Sequence, residues 1–176
     1  SQKKGQIKEV AVSGGAQEVP FEIRPFNYSS NHFFVDVGYR QYYEQYYQNE
    51  PPIVNTDLQI VEEEVWVQRQ GGIPDPNERQ GIAYITLDPR PSQGGYNDSL
   101  RSAPPVPGNI ETAPFVKLDR SQYDLTGDGY IGVISLNTNV QEQQVVGLAY
   151  RRADRTQFGE CSRDQSDTGR VLILKM

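Results

Sequence analysis

Short apolar runs punctuated by glycine, proline and asparagine predict a mainly β chain. The expected architecture is an antiparallel β-sandwich-like domain of about eight strands with one packed α-helix. Three observations carry that reading. In residues 19–24, Val19, Phe21 and Ile23 alternate with Glu22 and Arg24, which gives a strand one buried and one wet face. Only residues 31–50 hold an extended set of apolar side chains at helical spacing. Turn formers are frequent, with 16 glycines and 12 prolines among 176 residues, so the elements between them are short.

The length suits a single domain over residues 1–176 with its own core. A net charge of -6 argues against a nucleic-acid footprint, which needs clustered lysine and arginine. No apolar run approaches the ~20 residues of a spanning helix. No secretory signal heads the sequence, and VLILKM stops within an apolar pattern. The chain is therefore expected to be a soluble piece of a longer protein whose last strand is interrupted.

Taken in order, residues 7–12 and 19–24 are strand candidates around Ser13-Gly14-Gly15. Ser29, Ser30 and Asn31 are N-cap candidates for the helix, and Pro51-Pro52 stop it. Phe33, Phe34, Val37, Tyr42 and Tyr46 form its stripe, widened by Tyr43 and Tyr47. That band is expected to be core with hydroxyls at the rim, the alternative being a binding surface. Residues 58–69, LQIVEEEVWVQR, read as a strand with apolar residues on both parities. This implies a central strand covered on both sides, or a bulge near Glu62. Trp66 is expected in the core. The run Glu62-Glu63-Glu64 is expected to be a solvated strand edge rather than a cation site.

Residues 82–87 read as another strand. Residues 88–109 are rich in Pro, Gly, Ser and Asn and read as a long flexible surface loop. Residues 130–136 and 144–152 suggest a hairpin around a polar connection, and residues 171–175 are expected to close the sheet.

Catalytic signals are sparse. Cys161 and His32 are each single, which removes an internal disulfide, a cysteine-based zinc site and histidine-rich metal sites. No nucleophile elbow, phosphate-cradling loop or dinucleotide fingerprint is present, so no catalytic residue and no cofactor is expected. The one metal-like stretch is Asp124-Leu125-Thr126-Gly127-Asp128-Gly129, whose alternate oxygens echo the first half of an EF-hand loop. Its twelfth position is Ser135 rather than Glu, so a turn leading into a strand is the favoured reading. Asp124, Thr126 and Asp128 remain the candidates for a weak calcium site. Asn27-Tyr28-Ser29 and Asn97-Asp98-Ser99 fit the N-glycosylation pattern, and Asp98-Ser99-Leu100 resembles an O-glycosylation motif of Bacteroidetes surface proteins.

Several motifs in one order resemble the SprA-type outer-membrane translocon of the type IX secretion and gliding motility system. They are GGAQEVPFEIRPFNYSSNHFF (14–34), YRQYYEQYYQNEPPIVNTDLQIVEEEVWVQR (39–69), GVISLN (132–137), VVGLAY (145–150) and LILKM (172–176). Residues 88–109, the Thr126–Gly129 insertion, and Gln68-Arg69 in place of Thr-Asn depart from that pattern. The resemblance implies a non-catalytic domain inserted between strands of a large outer-membrane barrel. There it would cap or gate the pore, or dock accessory plug, shuttle or cargo proteins. It implies an extracellular position, with the periplasmic face as the alternative. A carbohydrate- or ligand-binding module of a bacterial surface protein is the second functional expectation.

Overall fold

Strand β2, Ile60–Gln68, organises the fold because both of its edges and both of its faces are occupied. The computed structural model describes residues 31–176. In chain order the other elements are β1 (His32–Phe34), α1 (Arg40–Gln48), β3 (Glu78–Tyr84), β4 (Ile110–Lys117), β5 (Tyr123–Thr126), β6 (Val133–Leu136), β7 (Val146–Arg152), β8 (Gln157–Phe158) and β9 (Leu172–Lys175). The strands expected at 7–12 and 19–24 lie outside the described residues.

Hydrogen bonding runs β2-β4-β3-β9-β7, and β7 then pairs back with β2 from Val67↔Val146 to Ile60↔Arg152. The ring is closed. The expected β-sandwich of about eight strands is therefore incorrect: the chain forms a closed five-stranded barrel with a separate three-stranded sheet, β1-β6-β5. Closure depends on β9, which lies parallel to β3 (Gly81↔Leu172 to Tyr84↔Lys175) and meets β7 at Leu148↔Lys175. A sandwich would have left two open edges on each sheet.

A barrel of five strands has a narrow interior, and the inward positions are correspondingly small. Ala83, Ala113 and Ala149 pack there with Leu172, Leu174, Cys161 and two large groups, Trp66 and Phe115. Gly81 and Gly147 complete the fit: a Cβ on Gly81 would lie 2.8 Å from the Phe115 ring, and one on Gly147 2.7 Å from a Leu174 methyl. The opposite parity faces outward into two further clusters. Val65, Val67, Leu148 and Tyr150 meet Val35, Tyr39, Tyr123, Ile134 and Leu136 of the small sheet and its flanks. Ile82, Tyr84 and Ile173 meet Leu87 and Tyr96. This two-sided covering explains why β2 is apolar on both parities. The bulge expected near Glu62 is present as a register shift between Ile60 and Glu62.

Strand β4 has no counterpart among the expected elements. Pro114 sits at its centre and lowers the strand signal, yet the chain pairs on both sides there, with Gln80↔Pro114 toward β3 and Arg69 N–H donating to the Pro114 carbonyl (2.9 Å). The strand expected at 82–87 begins earlier, at Glu78. The expected hairpin of 130–136 with 144–152 does not form: β6 belongs to the small sheet and β7 to the barrel.

The helix is also placed differently. His32–Phe34 is a strand paired with β6, and the helix starts only at Arg40, after a 3-10 turn at Val37–Tyr39 capped by the Asp36 carboxylate. Helix α1 fully buries none of its residues and meets the core through half-buried Tyr42, which packs against the cluster of Tyr39, Tyr123 and Ile134.

Candidate functional site

Within residues 34–54 several apolar and aromatic side chains are exposed, Val37, Tyr43, Tyr47, Ile53 and Val54 among them. Tyr39 anchors the stretch: the ring is buried, fills the space beside Gly132, and its hydroxyl donates to the Leu58 carbonyl at 2.6 Å. Burial pushes that phenol well above the usual tyrosine range. Beyond Tyr39 the tyrosines step outward along α1. Phe34 meets Tyr43 edge-on (5.6 Å), Tyr43 meets Tyr47 (4.9 Å), and Tyr47 meets Tyr46 (5.2 Å). Tyr42 and Tyr46 are half-buried, Tyr43 and Tyr47 are exposed. Val37, 89% exposed, and Ile53, 56% exposed, extend the same stretch of chain with Val54. The band expected as core thus divides, with Tyr39 inside and Tyr43 and Tyr47 outside. Ring-to-ring contacts hold the exposed rings with few free rotors, so a partner meets a preformed surface.

The run Glu62-Glu63-Glu64 is not a solvated edge. Each carboxylate has a cation: Arg151 (2.7 Å) and Arg163 (2.5 Å) for Glu62, Arg120 (3.4 Å) for Glu63, Lys117 (2.7 Å) for Glu64. Glu64 is buried and fully satisfied. It accepts from the Trp66 indole N–H (3.2 Å), the Ser162 N–H (2.8 Å), the Ser162 hydroxyl (2.8 Å) and Lys117. Every donor faces a fixed acceptor, which makes this a structural clamp. Glu63 is partly buried, and desolvation raises its pKa against the pull of Arg120. Cys161 lies among the barrel side chains, where burial pushes its thiol up to about 12, so it is not a nucleophile near neutral pH.

Each of the calcium candidates has a partner within the protein. Asp124 accepts from the Asn137 amide (2.9 Å), Thr126 contacts the Ser135 hydroxyl (3.3 Å), and Asp128 uses its carbonyl to accept from Gln59 (2.9 Å). Asp128 sits in the left-handed region at φ 52° between two glycines. Among the described residues no group of three or more His, Cys, Asp or Glu side chains is placed to hold a metal ion. Among them, too, no helix is long and apolar enough to cross a membrane.

Residues 88–109 carry more apolar surface than their composition suggested. Tyr96 is buried and donates to the Asp88 carbonyl (2.9 Å), and Leu100 and Ala103 pack against the cluster around Ile173. Arg101 reaches from this segment to Glu160 with two bonds of 2.6 Å. Ser99 is exposed on the 3-10 turn Asp98–Ser102, while the Asp98 carboxylate is held below the usual range by Arg170 and Arg101.

No known family profile matches the chain, and no curated protein matches it.

Proposed function

We propose that this chain is a non-catalytic docking domain of an outer-membrane protein-secretion translocon of the type IX kind, inserted into the large barrel and standing at its extracellular rim. The carrying observation is the exposed, mutually contacting pair Tyr43 and Tyr47, with exposed Val37, Ile53 and Val54 in the same stretch of chain, while the other aromatic groups among the described residues are buried or half-buried. A surface of this kind is suited to contact with another protein, here the rest of the parent barrel or its plug, shuttle or cargo proteins.

The test uses the full-length parent. The Gly71-Gly72 turn is open, with nothing near either glycine and Ile73 90% exposed beside it, so an epitope there leaves the barrel intact. Antibody labelling of intact cells is the expected result; labelling only after permeabilisation places the domain on the periplasmic side. Tyr43→Ser with Tyr47→Ser is expected to reduce secretion while the domain stays folded. Unchanged secretion by that double variant sinks the docking role. The exposed rings also favour a second reading, since a tyrosine face can stack on a sugar ring. Binding on a glycan array, lost with the same two substitutions, supports that reading instead.

A further inference from the structure

On the far side of β7 a cleft of about 430 Å³ opens between the β7–β8 turn and the segment after residue 88. Its lining includes Arg90, Arg151, Arg152, Arg155, Val61 and Pro91. Four arginines on one cleft stand out on a chain of net charge -6. Two of them are already committed, Arg151 to Glu62 (2.7 Å) and Arg152 to Asp154 (2.9 Å). The other two are not. Among the described residues the Arg155 guanidinium has no hydrogen bond or ion pair, and the Arg90 Nε is buried with no acceptor. A buried guanidinium N–H without an acceptor is costly, and the Arg90 guanidinium, packed beside Gly95, has no acceptor that fixes it away from the cleft it lines.

The backbone supplies an independent reason to single out Arg155. Arg155 N–H donates to the Arg152 carbonyl (3.0 Å) and Arg152 N–H to the Thr156 carbonyl (2.9 Å), so a tight hairpin turn joins β7 to β8. Residue 155 stands at its left-handed position, φ 70°, where glycine or asparagine is the unstrained choice. An arginine there is strained relative to glycine. Val61 adds the third observation. As the extra residue of the β2 bulge it is 53% exposed and lines the cleft beside Pro91, giving an apolar wall next to the two uncommitted guanidinium groups.

We propose that this cleft binds the carboxylate side chain of an acidic peptide segment, with Arg90 and Arg155 gripping the carboxylate and Val61 and Pro91 receiving the neighbouring apolar residue. Guanidinium forks match a carboxylate geometrically, and the apolar wall selects an anion borne on a peptide over a free inorganic one. The site does not depend on the secretion reading, since it concerns residues other than Tyr43 and Tyr47.

The experiment measures fluorescence anisotropy of a labelled Glu-Val repeat peptide, and of its Gln-Val counterpart, with the full chain at low and physiological salt. The Glu peptide is expected to bind, the Gln peptide not, with weakening as salt rises. Arg155→Asn suits the left-handed turn, so it is expected to melt no lower than the parent yet bind about tenfold or more weakly, the worth of one charge-assisted contact. Arg90→Gln is expected to weaken binding similarly, with Trp66 emission reporting the intact barrel. Three results overturn the proposal: no binding of the Glu peptide, unchanged binding by both variants, or displacement by equimolar inorganic phosphate.

Discussion

Replacing Arg101 with methionine removes both guanidinium bonds from the Glu160 carboxylate while keeping most of the side-chain volume. The pair is deeply placed, with side chains 9% and 4% exposed, and the two contacts are 2.6 Å each. Losing one partner of a buried pair typically costs about 3–5 kcal/mol, since the remaining charge stays desolvated. Glu160 keeps two other donors, the Gln165 amide (2.6 Å) and the Ile173 N–H (3.1 Å), which places the expected loss at the low end, about 3 kcal/mol. The exposed Asp98 contact adds little. For a chain of this size such a loss lowers the melting temperature by about 10 °C. Trp66, the sole tryptophan, is buried in the barrel, so its emission during a thermal scan reports the transition. Adding Glu160→Gln to the variant removes the stranded charge and is expected to restore more than half of the loss. A fall of less than about 2 °C in the single variant would refute the reasoning. The segment 88–109 would then be held by its apolar contacts alone.

Two further perturbations probe the barrel and its charge cluster. Gly147→Ala drives a methyl against Leu174 and is expected to cost about 1–3 kcal/mol in urea titrations, partly recovered by adding Leu174→Val; a variant as stable as the parent would show that the interior has slack. Glu63 has its folded-state pKa raised, chiefly by burial, so its contribution to stability is fully present below the unfolded value and lost as pH rises through the folded one. Glu63→Gln, which cannot ionise, is therefore expected to raise the urea midpoint at pH 7 and to match the parent below about pH 4. An equal offset at both pH values would trace the effect to packing instead.

Local pattern made some of this molecule legible and left its closure hidden. Residues 58–69 announced a strand covered on both faces, and Ile60/Glu62 carry the register shift that their parity implied. Trp66 as core followed from the same pattern, and its indole partner proved to be a carboxylate two residues away. Periodicity reports which face is buried, not which strand lies beside it. Hence β6 and β7 looked like a hairpin although they belong to different sheets, and nothing in LILK indicated that β9 would lie parallel to β3. Pro114 concealed β4, because a proline in a doubly paired strand is rare. The tyrosines of α1 showed an apolar stripe, but helical spacing alone could not say that Tyr43 and Tyr47 face outward. The arginines of the cleft come from residues 90 and 151–155, far apart in sequence, and only the fold brings them together.

The parallel pairing of β9 with β3 bears on the order in which the chain can fold. Arg79, at the start of β3, bonds the carbonyl of Arg170, ninety-one residues away and just ahead of β9. Bringing ends that distant together costs about 4 kcal/mol of chain entropy before any constant term. Neither β3 nor β7 has its full set of neighbours until β9 arrives. The barrel therefore closes late and slowly, as a fold of non-local contacts does, and the emerging chain carries two unpaired strand edges until residues 172–175 have been made.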